Sequence, residues 1–222
     1  MATELAALLT RPVDDMLRQI RIDGLEHVHA AMARHDRALL LTAHLGNWEL
    51  LPVACRLTGH PLSVVQRPLD AAWLNRLVTR LRERCEVDLI DKRAALRPVL
   101  RALSRGAMVG ILLDQNAARR EGVFVPFFGH AASTSRSIAV LALRTGAPIV
   151  PAFIRRQSDG IHRVAVGPPL PVPPGSSEAA IETLTARCTE AIESAIRETP
   201  GQWLWMHARW RTRPPGDRAE AG

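Results

Sequence analysis

The sequence predicts one α/β domain, and three features of the 222-residue chain support this class. Short apolar runs alternate with longer amphipathic stretches, as in sheets that are covered by helices. Hydrophobic residues make up 47% of the chain and charged residues 23%, a balance typical of a folded globular protein. No apolar run approaches the roughly 18 residues that a membrane-spanning helix needs. The chain is therefore expected to form a single large domain with a well-buried core.

Strands are predicted wherever a short apolar run is bounded by turn-forming residues. The predicted strands cover residues 20–23, 38–43, 62–66, 87–90, 108–113, 149–154 and 162–166. The last two are joined through the turn signal Ser158-Asp159-Gly160, which favours a hairpin connection.

Helices are predicted where apolar residues recur with helical spacing and capping residues stand at the ends. Asp70 is a typical N-cap, and Gly59, Gly106 and Gly146 follow predicted helices as stop signals. The predicted helices cover residues 3–20 with a break at Pro12, 25–34, 47–57, 70–84, 94–104, 134–145 and 178–198.

The chain is divided into residues 1–19 as an N-terminal helical segment, 20–214 as the main domain and 215–222 as a frayed tail. The N-terminus lacks the basic start and small-residue cleavage site of a signal peptide. No metal site is expected, because the histidines at 27, 29 and 35 have no nearby cluster of carboxylates and cysteines.

The charge balance indicates acidic partners. Twenty-nine basic residues face twenty-two acidic ones, for a net charge of +7, and all basic residues except Lys92 are arginines. Guanidinium groups bind phosphate in a bidentate manner, so nucleic acid, anionic lipid and an acidic carrier protein all remain candidates. Composition alone does not choose among them.

The segment that follows the strand at 38–43 carries the strongest candidate for chemistry. If the strand ends near His44 and a helix begins near Asn47, the imidazole projects from the loop and Glu49 can reach back to orient it. Gly46 allows the sharp turn, and Asn47 can cap the helix. Asp114 and Gln115 follow another buried strand, at the edge where α/β proteins keep their sites. A capped helix with a surface salt bridge is the alternative interpretation of His44 and Glu49.

These residues carry a resemblance to a known family. The stretch His44-Leu45-Gly46-Asn47-Trp48-Glu49 resembles the first motif of the H-x4-D/E glycerolipid acyltransferase superfamily, and most closely that of the bacterial lipid A biosynthesis (lauroyl/myristoyl-type) acyltransferases. Later blocks agree in order, and they comprise residues 65–70 with Asn75 and Arg82, 114–116 with 122–129, 147–153, and the closing stretch 202–210. The resemblance runs from about residue 20 to residue 214.

The resemblance implies a single domain with a central mixed β-sheet flanked by helices. It also implies transfer of a fatty acyl chain from an acyl carrier protein thioester to a hydroxyl of a lipid A precursor or similar glycolipid. His44 is expected to be the general base and Glu49 the acid that orients it, with no cofactor. The residues expected to bind substrate are Arg67, Asn47, Asp114, Gln115, Phe127, Phe128 and Gly129.

The resemblance further implies a place on the cytoplasmic face of the inner membrane. Because the chain has no apolar segment before His44, we expect peripheral attachment to an anionic membrane surface. Tryptophans and arginines in the stretch 203–213, and the basic helix around Arg76, Arg80, Arg82 and Arg84, are candidate contacts with lipid or with an acidic acyl carrier.

Three alternatives remain open at this stage. The same mechanism fits an acyl-CoA-dependent enzyme that acts on a lysophospholipid or a mannolipid. A non-catalytic lipid-binding protein is a second alternative. A nucleic-acid-binding protein is suggested by charge alone, and because the chain carries no recognisable nucleic-acid-binding motif, no nucleic acid partner is expected.

Overall fold

The computed structural model describes residues 11–66, 76, 79–80 and 82–216. Arg67, which the resemblance assigns to acceptor binding, lies outside the described residues. So do Asp70, most of the predicted helix at 70–84, the first ten residues and the last six.

The predicted fold class is confirmed, since a mixed seven-stranded sheet with helices on both faces forms the centre of the molecule. The strands are β1 (Ile20–Asp23), β2 (Ala38–Thr42), β3 (Leu62–Gln66), β4 (Val87–Asp91), β5 (Met108–Leu112), β6 (Gly122–Phe127), β7 (His130–Ser135), β8 (Ile149–Arg156) and β9 (His162–Val166). The order in the sheet is β1-β9-β8-β2-β5-β3-β4, and β6 pairs with β7 in a separate hairpin. Neighbouring strands of the sheet are parallel except β8 and β9.

Six α-helices lie in the described part of the chain. They are α1 (Val13–Arg18), α2 (Leu25–His35), α3 (Leu51–Cys55), α4 (Leu96–Ser104), α5 (Ser137–Thr145) and α6 (Glu178–Glu198). Residues 82–84 are also helical. The predicted helix at 47–57 is a composite, because 3₁₀ turns at Trp48–Leu50 and Arg56–Thr58 flank α3. Gly59 ends it with a φ of 70°, as predicted.

Strand β2 shows how the sequence builds two cores. Leu39 and Leu41 point to the face that α5 and α6 cover, whereas Ala38 and Leu40 point to the face that α2 and α3 cover. Side chains of a strand alternate between faces, so a strand that is buried on both sides is apolar at every position. This explains why β2 was recognisable as an uninterrupted apolar run.

The hairpin differs from the sequence prediction. Ser133 and Thr134, predicted to begin a helix, lie in β7, and α5 begins only at Ser137. Phe128 and Gly129 form the two-residue turn with φ values of 51° and 78°, the left-handed pair that tight hairpins require. The sequence of β7 is short and consists mostly of small residues, so apolar and polar side chains do not alternate clearly and the pattern that indicates a strand is weak.

The parallel strands at the centre of the sheet place their carboxyl ends at one edge. Strands β2, β5 and β8 are neighbours, so the segments that follow Thr42, Leu112 and Arg156 lie close together. This edge is where open α/β sheets hold their ligands. Of the helices that the structure describes, none combines the length and the apolar character that crossing a membrane requires.

Candidate active site

The loop after β2 is held against the C-terminal segment. The backbone N–H of Gly46 donates to the carbonyl of Gln202 (3.0 Å), and the N–H of Leu204 donates to the carbonyl of His44 (3.0 Å). Gly46 has a φ of 58°, and a Cβ at this position would lie 2.5 Å from the carbonyl oxygen of Ile154. Glycine is therefore required here both for conformation and for space.

His44 is hydrogen bonded to Asp114, which follows β5. His44 Nδ1 lies 2.8 Å from Asp114 Oδ1, and the His44 backbone N–H donates to Asp114 Oδ2 over 3.0 Å. The Trp203 indole also donates to Asp114 Oδ2, over 2.8 Å. The carboxylate thus accepts three hydrogen bonds while its side chain is only 2% exposed.

These contacts keep Asp114 ionised. Burial alone would raise the pKa of Asp114, but the hydrogen bond and charge of the His44 side chain, the Trp203 indole and the His44 backbone outweigh burial and lower the pKa. An ionised carboxylate only accepts hydrogen bonds, so a neutral His44 carries its proton on Nδ1. Its Nε2 therefore carries the lone pair and can accept a hydrogen bond.

The Nε2 side of the imidazole faces away from Asp114. Gln115 places its carboxamide nitrogen 3.5 Å from His44 Nε2. The Trp48 ring meets the His44 ring edge to face, with 4.9 Å between centroids. The His44 side chain is 19% exposed, so it can meet a ligand at the edge of the sheet.

Glu49 does not orient His44, and the sequence prediction is corrected here. Its carboxylate receives Arg82, with Nη2 at 2.8 Å from Oε1 and Nε at 3.2 Å from Oε2, and it also accepts the Trp48 indole N–H (3.2 Å). Glu49 lies in a 3₁₀ turn directed towards Arg82, while Asp114 comes to His44 from the neighbouring strand. Arg82, predicted as part of a basic surface, is buried.

A narrow apolar cavity begins beside this ion pair. Trp48, Glu49 and Arg82 line it together with residues of the sheet face and of α2 and α3. The apolar lining includes Leu25, Leu40, Ala54, Val64, Gly110 and Ala152. Such a lining suits a hydrocarbon chain, since each buried methylene contributes about 0.8 kcal/mol.

The remaining predicted site residues have different environments. Phe127 is fully buried against Trp203 and Trp210, so it belongs to the core and cannot line a groove. Phe128 is partly buried in the hairpin turn, where its N–H donates to Glu193 Oε2 (2.6 Å) and Arg197 covers its ring. Gly129 is exposed. The Asn47 side chain is buried and does not cap the helix, contrary to prediction.

Three residues near the site were given no individual role from the sequence. Trp203 was recognised as part of the closing motif but not as a hydrogen-bond donor to Asp114. Asn116 and His207 were likewise unassigned, although the Asn116 N–H donates to His207 Nε2 (2.7 Å) and burial lowers the pKa of His207. The feature of the sequence that could have indicated them is the clustering of polar and aromatic residues in the segments 114–116 and 202–210. No cluster of three or more metal-ligating side chains occurs among the described residues.

The chain belongs to the bacterial lipid A biosynthesis acyltransferase family, whose model matches residues 1–212. It is 32% identical over 203 residues to the lipid A biosynthesis lauroyltransferase of Escherichia coli (strain K12), covering 90% of this chain and 64% of that protein. It is 27% identical to the lipid A biosynthesis palmitoleoyltransferase of the same strain, covering 88% of this chain and 63% of that protein.

A mycobacterial relative carries a different name. The chain is 25% identical over 195 residues to the phosphatidylinositol mannoside acyltransferase of Mycolicibacterium smegmatis, covering 86% of this chain and 62% of that protein. The chain therefore spans less than two thirds of the length of these curated relatives.

Proposed function

We propose that this protein is an O-acyltransferase that moves a fatty acyl chain from an acyl carrier protein thioester to a hydroxyl of a lipid A precursor or similar glycolipid. The observation that carries the proposal is the hydrogen bond between His44 Nδ1 and Asp114, which leaves Nε2 as a base near an apolar cavity. Membership of the lipid A acyltransferase family supports the reaction class.

His44 acts as the general base. A hydroxyl is a poor nucleophile, so Nε2 takes its proton as the hydroxyl oxygen bonds to the thioester carbonyl carbon. The carbon–sulfur bond then breaks, and the thiolate leaves with the proton that His44 received. Asp114 stabilises the imidazolium that exists between these two steps, and no acyl-enzyme is needed.

Gln115 stabilises the negative charge on the carbonyl oxygen. Its carboxamide lies 3.5 Å from the base nitrogen, and the reacting carbonyl must also lie beside that nitrogen. A donor in this position can hydrogen bond to the oxyanion as it forms. Backbone amides of the His44 loop are the alternative donors.

The apolar cavity receives the acyl chain. The ion pair of Glu49 and Arg82 is the charged part of the lining, and we propose that Arg82 attracts the polar end of the thioester while Glu49 holds its guanidinium in place. In this role Glu49 positions Arg82 and acts on catalysis only through it.

The basic surface supports an acidic donor and an anionic membrane. Arg76 and Arg80 are exposed, which suits an acidic acyl carrier protein. Trp205 and Met206 are 52% and 94% exposed, near the exposed Arg211 and Arg213, and this combination suits a headgroup layer. We propose peripheral attachment at the cytoplasmic face of the inner membrane.

The test combines a labelled acyl carrier protein thioester with a Kdo-bearing lipid A precursor. Wild-type protein is expected to form acylated lipid, and His44→Ala to be slower by about 10³-fold because its base is gone. The matched control is His35→Ala, an exposed histidine at the end of α2 that is expected to keep full activity. Wild type no faster than His44→Ala contradicts the proposal.

A mannolipid is the alternative acceptor. The name of the mycobacterial relative, phosphatidylinositol mannoside acyltransferase, supports this alternative. The same assay with acyl-CoA and a phosphatidylinositol mannoside tests the alternative. Mass spectrometry of lipids from a deletion strain identifies the natural acceptor, because a single lipid class should lose one chain.

A further inference from the structure

A second cavity opens at the same edge of the sheet, on the flank of the His44 loop opposite Asp114. Strand β2 stands between β5, which leads to Asp114, and β8, which leads to this cavity. Its lining comes from the His44 loop, the end of β8 and the turn after it, the start of β9 and the C-terminal segment. The residues are Gly46, Asn47, Arg156, Gln157, Ser158, His162 and Gln202. Its volume of about 560 Å³ is within the range of small-molecule sites.

Asn47 offers an unpaired carboxamide to this cavity. Its side chain lines this cavity and the residue is only 7% exposed, yet the carboxamide makes no hydrogen bond within the described chain. It stands at the helix start without capping it. The carboxamide is therefore available to donate and accept hydrogen bonds with a ligand in the cavity.

The walls of the cavity are fixed by hydrogen bonds. The Gln202 carboxamide accepts from the Arg156 N–H (2.9 Å) and donates to the Arg156 carbonyl (2.8 Å). The Gln157 N–H donates to the Ile161 carbonyl over 2.7 Å, which closes the turn. A preformed cavity lowers the entropic cost of binding a ligand.

We propose that this polar cavity binds a sugar ring of the glycolipid acceptor. Sugar hydroxyls both donate and accept hydrogen bonds, and the carboxamides of Asn47 and Gln157 and the hydroxyl of Ser158 offer both functions. Each cavity then binds a different group, the hydrocarbon chain in the apolar cavity and the sugar in the polar cavity. This assignment rests on the proposed acyltransferase function and specifies how that function recognises its acceptor.

The kinetic test uses the full chain with Asn47→Ala, Ser158→Ala and, as a matched control, Ser104→Ala at the far end of α4. Losing one hydrogen bond to the sugar is expected to raise the acceptor KM about tenfold in Asn47→Ala. The KM for the thioester donor is expected to change less than about twofold. Because Ser158 is exposed, Ser158→Ala is expected to fold normally. This variant therefore tests the cavity even if Asn47→Ala folds poorly.

A binding test separates this inference from the proposed reaction. Saturation-transfer NMR with a free glucosamine disaccharide is expected to show binding to wild type and His44→Ala, and binding about tenfold weaker to Asn47→Ala. If wild type transfers no acyl group but this pattern appears, the sugar site stands without the reaction. An unchanged acceptor KM in both cavity variants, or a raised donor KM with an unchanged acceptor KM, overturns the assignment.

Discussion

Two carboxylates lie near the His44 loop. Glu49 is close to His44 in the sequence, whereas Asp114 is distant in the sequence but contacts His44 in the structure. Glu49 is five positions from His44, yet it pairs with Arg82. Asp114 is 70 positions away, yet it holds both the backbone and the imidazole of His44. The difference shows that adjacency of β2 and β5 in the sheet, and not spacing along the chain, selects the acid that orients the histidine.

The two pairs also differ in what they can do. The Asp114–His44 pair combines an ionised acid with a base that is able to gain and lose a proton, so it can take part in proton transfer. The Glu49–Arg82 pair joins a carboxylate to a guanidinium, and their side chains are 15% and 10% exposed. It can hold a charge in place beside the apolar cavity.

The largest expected effect comes from Asp114→Asn. An amide group in place of one carboxylate oxygen faces an N–H donor, so either the His44 tautomer is reversed or the hydrogen bonds to Trp203 and the backbone are broken. We expect kcat to fall about 10²–10⁴-fold, with a small change in acceptor KM. Steady-state kinetics checks this, with the exposed Asp88→Asn of β4 as control.

A rate within threefold of wild type for Asp114→Asn would remove Asp114 from the mechanism. If Glu49→Gln instead showed the larger fall in kcat with unchanged stability, the original assignment of Glu49 to His44 would be restored.

The second effect concerns stability. Glu49→Gln leaves the Arg82 charge buried without its partner, and we expect the free energy of unfolding to fall by about 3 kcal/mol. Replacing both residues by apolar ones, Glu49→Leu with Arg82→Met, is expected to recover most of that loss because no charge stays buried. Urea denaturation measures both.

The control for this stability experiment is the exposed ion pair of Asp23 and Arg163. Asp23→Asn is expected to change the free energy of unfolding by less than about 1 kcal/mol, since solvent screens the pair. A loss in Glu49→Gln no larger than in Asp23→Asn would mean that the Glu49–Arg82 pair contributes little.

A smaller effect is expected from narrowing the apolar cavity. Gly110 lies in β5, where an added Cβ would sit at an ordinary 3.5 Å from Val64, so Gly110→Ala should fold normally. Gly110→Val extends into the lining and is expected to lower the rate ratio of long to short thioesters about tenfold. Competition among mixed thioesters measures this ratio. Gly201→Ala, which meets nothing within 4 Å, should leave it unchanged.

The smallest effect is the acid dependence of stability. Because contacts in the folded state lower the pKa of Asp114 below its usual 3.8, the stability they supply is present above that value and is lost as pH falls through the folded pKa. The free energy of unfolding of wild type minus that of Asp114→Asn should therefore be constant well above pH 3.8 and shrink as pH falls below it, which urea denaturation at each pH measures. A difference independent of pH would mean that Asp114 is not ionised in the folded protein.

Much of the fold could be predicted because its strands are short apolar runs bounded by turn residues, and the central strands β2, β5 and β8 are buried on both faces. β1, β3 and β9 have the predicted bounds, and β2, β5 and β8 differ by one or two residues. The hairpin strand β7 was not predicted, and its last two residues were assigned to the helix at 134–145, because small residues such as Ala131 and Ser133 carry no clear alternation. Its strand state comes from pairing with β6 and packing against α6, which are contacts distant in sequence.

The site was predicted in part. His44, Asp114 and Gln115 do meet at the carboxyl edge, as expected for residues that follow neighbouring parallel strands. The partner of Glu49 could not be predicted, since Arg82 looked like one of many surface arginines. The hydrogen bond from Trp203 to Asp114 could not be predicted either, because a tryptophan in an aromatic stretch is equally consistent with a residue of the hydrophobic core.

Apolar runs and turn residues act locally, so the amino-acid sequence is enough to predict an α/β domain with a histidine on a glycine turn after a buried strand. The acid that contacts this histidine, the arginine that is buried and the positions of the two cavities become known only from the folded chain. These properties depend on the order of strands in the sheet, which brings together side chains that local patterns cannot relate.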